Sequence, residues 1–298
     1  MLHSEFSWPA KDGINLFGQQ WAPEGDFKAI LCLVHGIGEH TGRYGFVAEQ
    51  LVANGYVLFG YDQRGHGRSA GQRGHSPSLE ITLDDIGLLL QQAGQHYPGK
   101  RIFLYGHSLG GGLVLNYALR RHPKIAGIIA TSPSLRQTIS PPGWKLLLGR
   151  VMYLLLPTFG MSSGLDVKAI SRDPQVVEAY IEDPLVHDKV SARFGIDGID
   201  SGRWALEHAA ELDLPLLLMH GSADRITSPD ASREFAANSP RFTTLHILEG
   251  CYHELHNEPE KETVLRLMVN WLDGQTLPAP DHAAAAQRVH PSLVAIGG

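Results

Sequence analysis

The chain has 298 residues, 43% hydrophobic and 19% charged, with a net charge of −6 at pH 7. That length can bury a sizeable core, and the composition is that of a globular protein rather than a disordered or fibrous one. The acidic balance argues against a nucleic-acid partner, no run approaches the roughly 20 apolar residues that span a bilayer, and Cys32 and Cys251 are too few for a disulfide framework or a zinc cluster.

The opening Met1-Leu2-His3-Ser4-Glu5-Phe6 lacks a basic stretch followed by an apolar one, so no signal peptide is expected. Together with the sparse cysteines this points to a reducing, cytoplasmic setting. Residues 4–8 and 14–21 read as short strands joined through the turn Lys11-Asp12-Gly13. Ala29 to Val34 is apolar throughout, as a parallel strand covered on both faces must be. A loop, His35-Gly36-Ile37-Gly38-Glu39-His40, follows it. Arg43 to Asn54 has helical period and stops at Gly55. Tyr56 to Tyr61 is the next strand, Asp62 to Ser69 a loop, and Leu79 to Tyr97 a helix closed by Pro98-Gly99.

Arg101 to Tyr105 is a short buried strand, and Leu113 to Arg121 is rich in helix formers. Between them lies Gly106-His107-Ser108-Leu109-Gly110, a G-x-S-x-G at a strand-to-helix turn. A serine there has strained backbone angles and stands clear of the sheet, and side chains at the flanking glycines would strike the neighbouring strand and helix. The helix N-terminus points partial positive charge at the serine oxygen. The alternative is a glycine-rich turn whose serine caps a helix. Context favours Ser108 as a nucleophile.

Ile125 to Thr131 is another strand, after which the alternation of strand and helix breaks. From Ser132 to about Leu212 prolines cut the chain into short helices. The alternation resumes with a strand at Pro215–Met219, a helix near Asp230–Asn238, a strand at Thr243–Leu248 and a helix at Glu260–Leu272. The expected fold is therefore α/β: a mostly parallel sheet of about eight strands, helices on both faces, and a helical lid inserted at the carboxyl edge of the strands. The expected division is a core of 1–132 and 213–275, a lid of 133–212 and a loose tail of 276–298. Within the lid, Trp144, Leu147, Leu148, Val151 and Leu155 would share one helical face. Two readings stand for this greasy helix: one face over the active site and the other at a membrane interface, or both faces buried in packing.

A serine hydroxyl needs a base and a group to orient that base. In this fold the chain order is serine, acid, histidine. Asp224 follows a buried strand and a turn of small residues, and His253 follows the last strand. Asp224 could instead make an Asx turn, and His253 is one of 16 histidines, but position and order single both out. His246 lies within a strand, His256 comes later, and Asp230 is assigned to capping a helix. The oxyanion of the tetrahedral intermediate needs two backbone N–H donors, expected from Leu109 and Ile37. His35 is read as a brace for its loop. His253-Glu254-Leu255-His256 is one residue short of H-E-x-x-H, so no metal is expected. Gly65 to Ala70 matches G-x-G-x-x-A formally, but the Gly71-Gln72-Arg73-Gly74 that follows is no helix start. No nucleotide and no other cofactor is expected, and Arg64 and His66 are assigned to pinning loops.

Several blocks together carry a resemblance. They are His35 to His40 with Arg43-Tyr44, Tyr61 to Ser69, Gly106 to Gly111, Thr131-Ser132-Pro133, Gly221-Ser222-Ala223-Asp224, and Gly250 to Glu258. On these the sequence resembles the monoacylglycerol lipase and lysophospholipase branch of the α/β-hydrolases. The resemblance implies Ser108, Asp224 and His253 as a catalytic triad, Ile37 and Leu109 as oxyanion donors, and a mobile apolar lid over an acyl tunnel. Leu109 stands where methionine is frequent, a swap that keeps the N–H and the volume. The substrate would be a small lipid ester such as a monoacylglycerol, with Gly36, Glu39, His107, Trp144, Leu148 and Ile226 as contacts. The rivals are a broader carboxylesterase or lysophospholipase, a peptidase acting on N-terminal prolines, and a slow-turnover ligand-binding receptor. An epoxide or haloalkane hydrolase is disfavoured because its elbow would carry aspartate.

Overall fold

The structure, a computed structural model, describes residues 1–139 and 142–276. In chain order the strands are β1 (Leu2–Pro9), β2 (Asn15–Ala22), β3 (Ala29–Val34), β4 (Tyr56–Tyr61), β5 (Arg101–His107), β6 (Gly127–Thr131), β7 (Gly160–Ser162), β8 (Lys189–Ser191), β9 (Leu216–Gly221) and β10 (Thr243–Leu248). The α-helices are α1 (Gly45–Ala53), α2 (Leu79–His96), α3 (Leu109–Arg121), α4 (Gly143–Leu155), α5 (Pro174–Glu182), α6 (Ala192–Glu207), α7 (Pro229–Asn238) and α8 (Lys261–Thr276).

Eight strands form one sheet in the order β1-β2-β4-β3-β5-β6-β9-β10. Only the β1–β2 and β2–β4 pairs are antiparallel. The other five pairs are parallel. The central strands are largely apolar because both faces are covered, with polar residues mostly at their ends. Period-2 alternation divides them between two cores: Ile30, Cys32 and Val34 pack on one side, Ala29, Leu31 and Leu33 on the other. The first core is closed by α2, α3 and α7 through Leu83, Ile86, Leu89, Val114 and Phe235. The second is closed by α1 and α8 through Val47, Leu51, Val264, Met268 and Leu272. Cys32 and Cys251 are free and buried.

Turn chemistry follows the sequence closely. Gly13 takes φ +84° between β1 and β2, and Gly55 takes φ +81° after α1, where its N–H donates to Val52 O (3.0 Å). α7 is capped by Ser228, whose hydroxyl accepts from the Ala231 N–H. Asp230, expected as that cap, sits one turn position inside the helix instead, because Pro229 occupies the first helical position. α8 continues to Thr276, so the first residue of the expected tail is helical; residues 277–298 lie outside the described residues.

Among the described residues between β6 and β9, no strand joins the main sheet. This segment carries α4, α5, α6 and a two-stranded antiparallel pair, β7–β8. Its last helix returns to the core: Phe194, Ala205 and Leu206 of α6 join the first core. Among the described residues, no helix is long and apolar enough to cross a membrane.

The tightest crossing in the fold lies between β5 and α3. A Cβ on Gly106 would strike the Gly110 carbonyl, and a Cβ on Gly110 would strike the carbonyl oxygens of Val34 and His35. α3 therefore starts at Leu109, directly after the serine, rather than at the expected Leu113, since the glycines inside its first turn let it sit on the strand. Gly110→Ala is expected to cost about 3 kcal/mol or more, because backbone rather than a side chain blocks the methyl. Urea unfolding of the variant against the parent protein measures that loss.

Candidate active site

Ser108 sits at φ 54°, ψ −117°, a region that costs a non-glycine residue about 1–3 kcal/mol. The surrounding backbone enforces it: Ser108 N–H donates to Thr131 O (2.9 Å), and its carbonyl accepts from Gly112 N (3.0 Å) and Ser134 N (2.9 Å). Strain at the end of β5 thus holds the hydroxyl above the sheet. His253 Nε2 lies 2.8 Å from Ser108 Oγ, and His253 Nδ1 lies 2.7 Å from Asp224 Oδ2. A carboxylate only accepts, so Nδ1 carries the proton and Nε2 is free to accept from the serine.

Each partner of this line is held in turn. Asp224 Oδ1 accepts from the backbone N–H groups of Ile226 (2.7 Å) and Thr227 (3.0 Å). His253 presents its carbonyl to the Ser132 hydroxyl (2.7 Å), and Ser132 itself has φ +45°. Burial would push the Asp224 carboxyl up, but the charge of His253 and hydrogen bonds from His220 and His253 hold it well below the usual carboxylate range. Burial would likewise depress the His253 imidazole, and the Asp224 charge and hydrogen bond outweigh it and raise it. Both shifts favour the ion pair that proton transfer from serine would create.

The loop after β3 is braced from below. Glu39 Oε1 accepts from Gly36 N (2.6 Å) and from the Tyr44 hydroxyl (2.9 Å). Arg43 donates to Glu39 (2.9 Å) and makes a two-pronged pair with Glu254 (2.7 Å for each prong). Burial would push the Glu254 carboxyl up, but the Arg43 guanidinium holds it well below the usual range. The Tyr180 ring of α5 lies 4.6 Å from the Arg43 guanidinium carbon. One arginine thus joins the loop carrying Gly36 and Ile37, the loop carrying His253, and the inserted segment.

A cavity of about 20 Å³ lies over Ser108, room for about one water molecule. Of the residues expected to face the substrate, Gly36, Glu39 and His107 line it, as does Ile37. Its other walls, Leu165, Ile170 and Tyr180, come from the inserted segment and carried no motif. Glu39 lines the cavity with its oxygens already committed to Gly36, Tyr44 and Arg43. Trp144 and Leu148 do not line this cavity. α4 turns its Gly149 side toward α6, where a Cβ would come within 3.1 Å of Ile196 Cδ1, and so points Trp144 (65% exposed) and Leu148 (52%) outward. Ile226 is also absent from the lining; its contribution is the backbone N–H that it donates to Asp224. Leu109 opens α3 directly after the serine, with its N–H in the first turn.

The loop braces fall as expected. His35 Nδ1 lies 2.7 Å from Gly36 O while Nε2 accepts from Gln63 N (2.9 Å). Arg64 pairs with Asp85 through two nitrogens and with Asp12. His66 Nδ1 lies 3.0 Å from Arg64 O.

Comparison with known proteins agrees with this geometry. Residues 25–260 match the Hydrolase_4 family model, described as serine aminopeptidase, S33. The chain belongs to this family. A monoacylglycerol lipase of Mycolicibacterium smegmatis is 33% identical over 271 residues, covering 90% of this chain and 96% of that protein. An uncharacterized abhydrolase domain-containing protein of Dictyostelium discoideum is 40% identical over 257 residues, 85% of this chain but only 27% of that longer protein. Among solved structures, the Paleococcus ferrophilus monoacylglycerol lipase superposes with a TM-score of 0.81 at 37% identity, over 87% of this chain and 99% of that one. The chain is thus a member of the monoacylglycerol lipase branch of the α/β-hydrolases, a family of serine hydrolases.

The Arg43 node yields a stability test. Arg43→Met leaves Glu39 and Glu254 buried without their counter-charge, a loss of about 3–5 kcal/mol at neutral pH. Glu254 is depressed in the parent protein, so the pair's contribution is present above the ordinary glutamate value, near 4.3, and is lost as pH falls through the depressed one. In the variant Glu254 can protonate instead. The gap between the two unfolding free energies should therefore be widest at neutral pH and narrow on acidification.

Proposed function

We propose that this enzyme hydrolyses monoacylglycerols to fatty acid and glycerol. One observation carries the reading: an unbroken hydrogen-bond line from Asp224 through His253 to Ser108, with links of 2.7 and 2.8 Å, ending beneath a covered cavity. His253 takes the Ser108 proton as Oγ attacks the ester carbonyl. The tetrahedral oxyanion is held by the N–H groups of Leu109 and Ile37. His253 then gives the proton to the departing glycerol oxygen, leaving an acyl-enzyme. Water attacks that ester with His253 again as base, and the fatty acid leaves. The substrate class follows from the similarity to monoacylglycerol lipases over most of the chain.

In this reading, residues 133–212 form a lid over the core of 1–132 and 213–275. The small cavity means that an acyl chain enters only when the cover shifts. α4 presents Trp144, Leu147, Leu148, Leu154 and Leu155 to solvent, all more than half exposed, with Lys145 among them. An apolar surface of that kind suits transient contact with a membrane interface by an otherwise cytoplasmic enzyme.

Ser108→Ala should leave folding intact and remove nearly all release of fatty acid from a monoacylglycerol; retained turnover would overturn the triad. A panel adding diacylglycerols, lysophospholipids and nitrophenyl esters fixes the substrate class, since indifference to the glycerol head would point to a broader esterase. The base must be neutral to work, and His253 is raised, so kcat/KM should fall on acidification through a value above the ordinary histidine figure near 6.5. Replacing Leu147 and Leu154 by serine should reduce co-sedimentation with lipid vesicles and leave turnover of a water-soluble ester unchanged.

A further inference from the structure

His220, the last residue but one of β9, is fully buried and belongs to no motif assigned above. Its Nε2 lies 3.1 Å from Asp224 Oδ2 and 3.1 Å from the Thr227 carbonyl. Both oxygens only accept, so Nε2 carries the proton. On the other side, Nδ1 lies 2.7 Å from Ser232 Oγ, whose hydroxyl can donate to it. The ring is therefore fixed with its N–H aimed at the same carboxylate oxygen that orients His253. The tight turn after β9, closed by Asp224 N–H on Gly221 O (3.3 Å), folds the aspartate back over the strand end and makes this approach possible.

We propose that His220 is a positioning residue for the hydrolysis: it shares the charge of Asp224 Oδ2 and so sets how strongly that carboxylate holds the His253 imidazolium. Oδ2 faces His253 Nδ1 (2.7 Å), His220 Nε2 (3.1 Å) and the Thr227 hydroxyl (3.0 Å), while Oδ1 takes two backbone N–H groups. A carboxylate so engaged has little capacity left for another proton, so the proton taken from Ser108 stays on His253. Remove the His220 donor and more negative charge remains on Oδ2. The imidazolium of His253 is then held more tightly, and the base is harder to deprotonate.

The other charged or titratable groups around this pair are Glu254, Glu39 and Arg43 below the His253 loop, and the His107 and His256 rings. His107 and His256 are depressed by burial and stay neutral. None of these contacts His220, so changes there leave them in place.

The proposal rests on the triad reading and is tested apart from it. His220→Asn puts an amide where Nδ1 sits, keeps the Ser232 partner and falls short of Asp224. His220→Gln reaches the Nε2 position with an N–H. Both are polar and of similar size, so a difference between them reports the donor rather than the fold. The measurement is kcat/KM against pH on a water-soluble nitrophenyl ester, with melting curves for each variant. His220→Asn should move the acid limb up by about half a unit, which lowers kcat/KM by up to about 3-fold on the acid side of the limb. His220→Gln should keep the limb of the parent enzyme. Equal limbs in the two variants, or a downward shift in His220→Asn, would overturn the proposal. Full activity of Ser108→Ala would instead overturn the triad itself. If His220→Asn does not fold while His220→Gln does, the parent limb in His220→Gln still supports the donor, and a limb raised in His220→Gln refutes it.

Discussion

Everything at the carboxyl edge depends on how closely α3 crosses the sheet. The first turn of α3 lies against the carbonyls of Val34 and His35, at a distance that only a glycine at position 110 permits. That contact forces the chain to reverse between His107 and Leu109, and the reversal puts Ser108 at positive φ. The same glycines bring the end of β3 under the start of α3, so the loop holding Gly36 and Ile37 and the N–H of Leu109 belong to one small volume. The strain at Ser108 is local, and the ladder of β5 with β3 and β6 opposes its release.

The strands deliver three side chains to one edge, but they do not hold the long loops that carry two of them. Buried charge does that. Arg43 ties the β3 loop to the His253 loop, and Glu258 ties the His253 loop to the inserted segment. Glu258 Oε1 accepts from Ser171 Oγ (2.9 Å) and Arg172 N (2.6 Å), and its Oε2 accepts from Arg172 Nε (2.6 Å) and Tyr252 N (3.0 Å). Buried ion pairs are poor sources of net stability, since desolvation offsets most of the attraction. Their use here is register. Arg43 bridges Glu39 of its own segment to the distant Glu254, and Glu258 accepts from both the inserted segment and its own loop, so only one relative placement of these segments satisfies them all.

The core was legible because burial on both faces leaves few polar residues along a central strand. Ala29–Val34 and Tyr56–Tyr61 are such runs and occur where expected. Ser108, Asp224 and His253 were legible because chain order in this fold restricts where each can lie. The turn of Ser228 and Pro229 was misread, since an acidic residue in the first turn and a cap look alike in sequence. The inserted segment was the weakest. Its helix α4 shows an apolar face, and periodicity identifies that face without saying which way it points. Orientation was decided by Gly149, a small residue that carries no apolar signal. The walls Leu165, Ile170 and Tyr180 were invisible for a related reason: they reach the cavity because Arg172, Asp183 and His187 are bonded to the core, and such long-range bonds leave no periodic trace.

Those bonds are unevenly spread along the inserted segment. Its middle part is stitched down: Glu254 N–H donates to Ile170 O (2.7 Å), His187 N–H to Gly38 O (2.9 Å), and Asp183 faces His40 (2.8 Å). α4 has nothing comparable. None of its residues is buried, and its ion pair, Arg150 with Asp200 of α6, is solvent-exposed and weakly stabilising. Displacing the stretch from Leu165 to Ser191 would separate buried hydrogen bonds and the Tyr180–Arg43 stack. Displacing α4 would separate half-buried apolar contacts with α6, the Tyr153–Arg193 stack and one surface ion pair. The apolar helix is therefore the part of the inserted segment whose movement costs least, and it is also the part whose greasy side already faces outward.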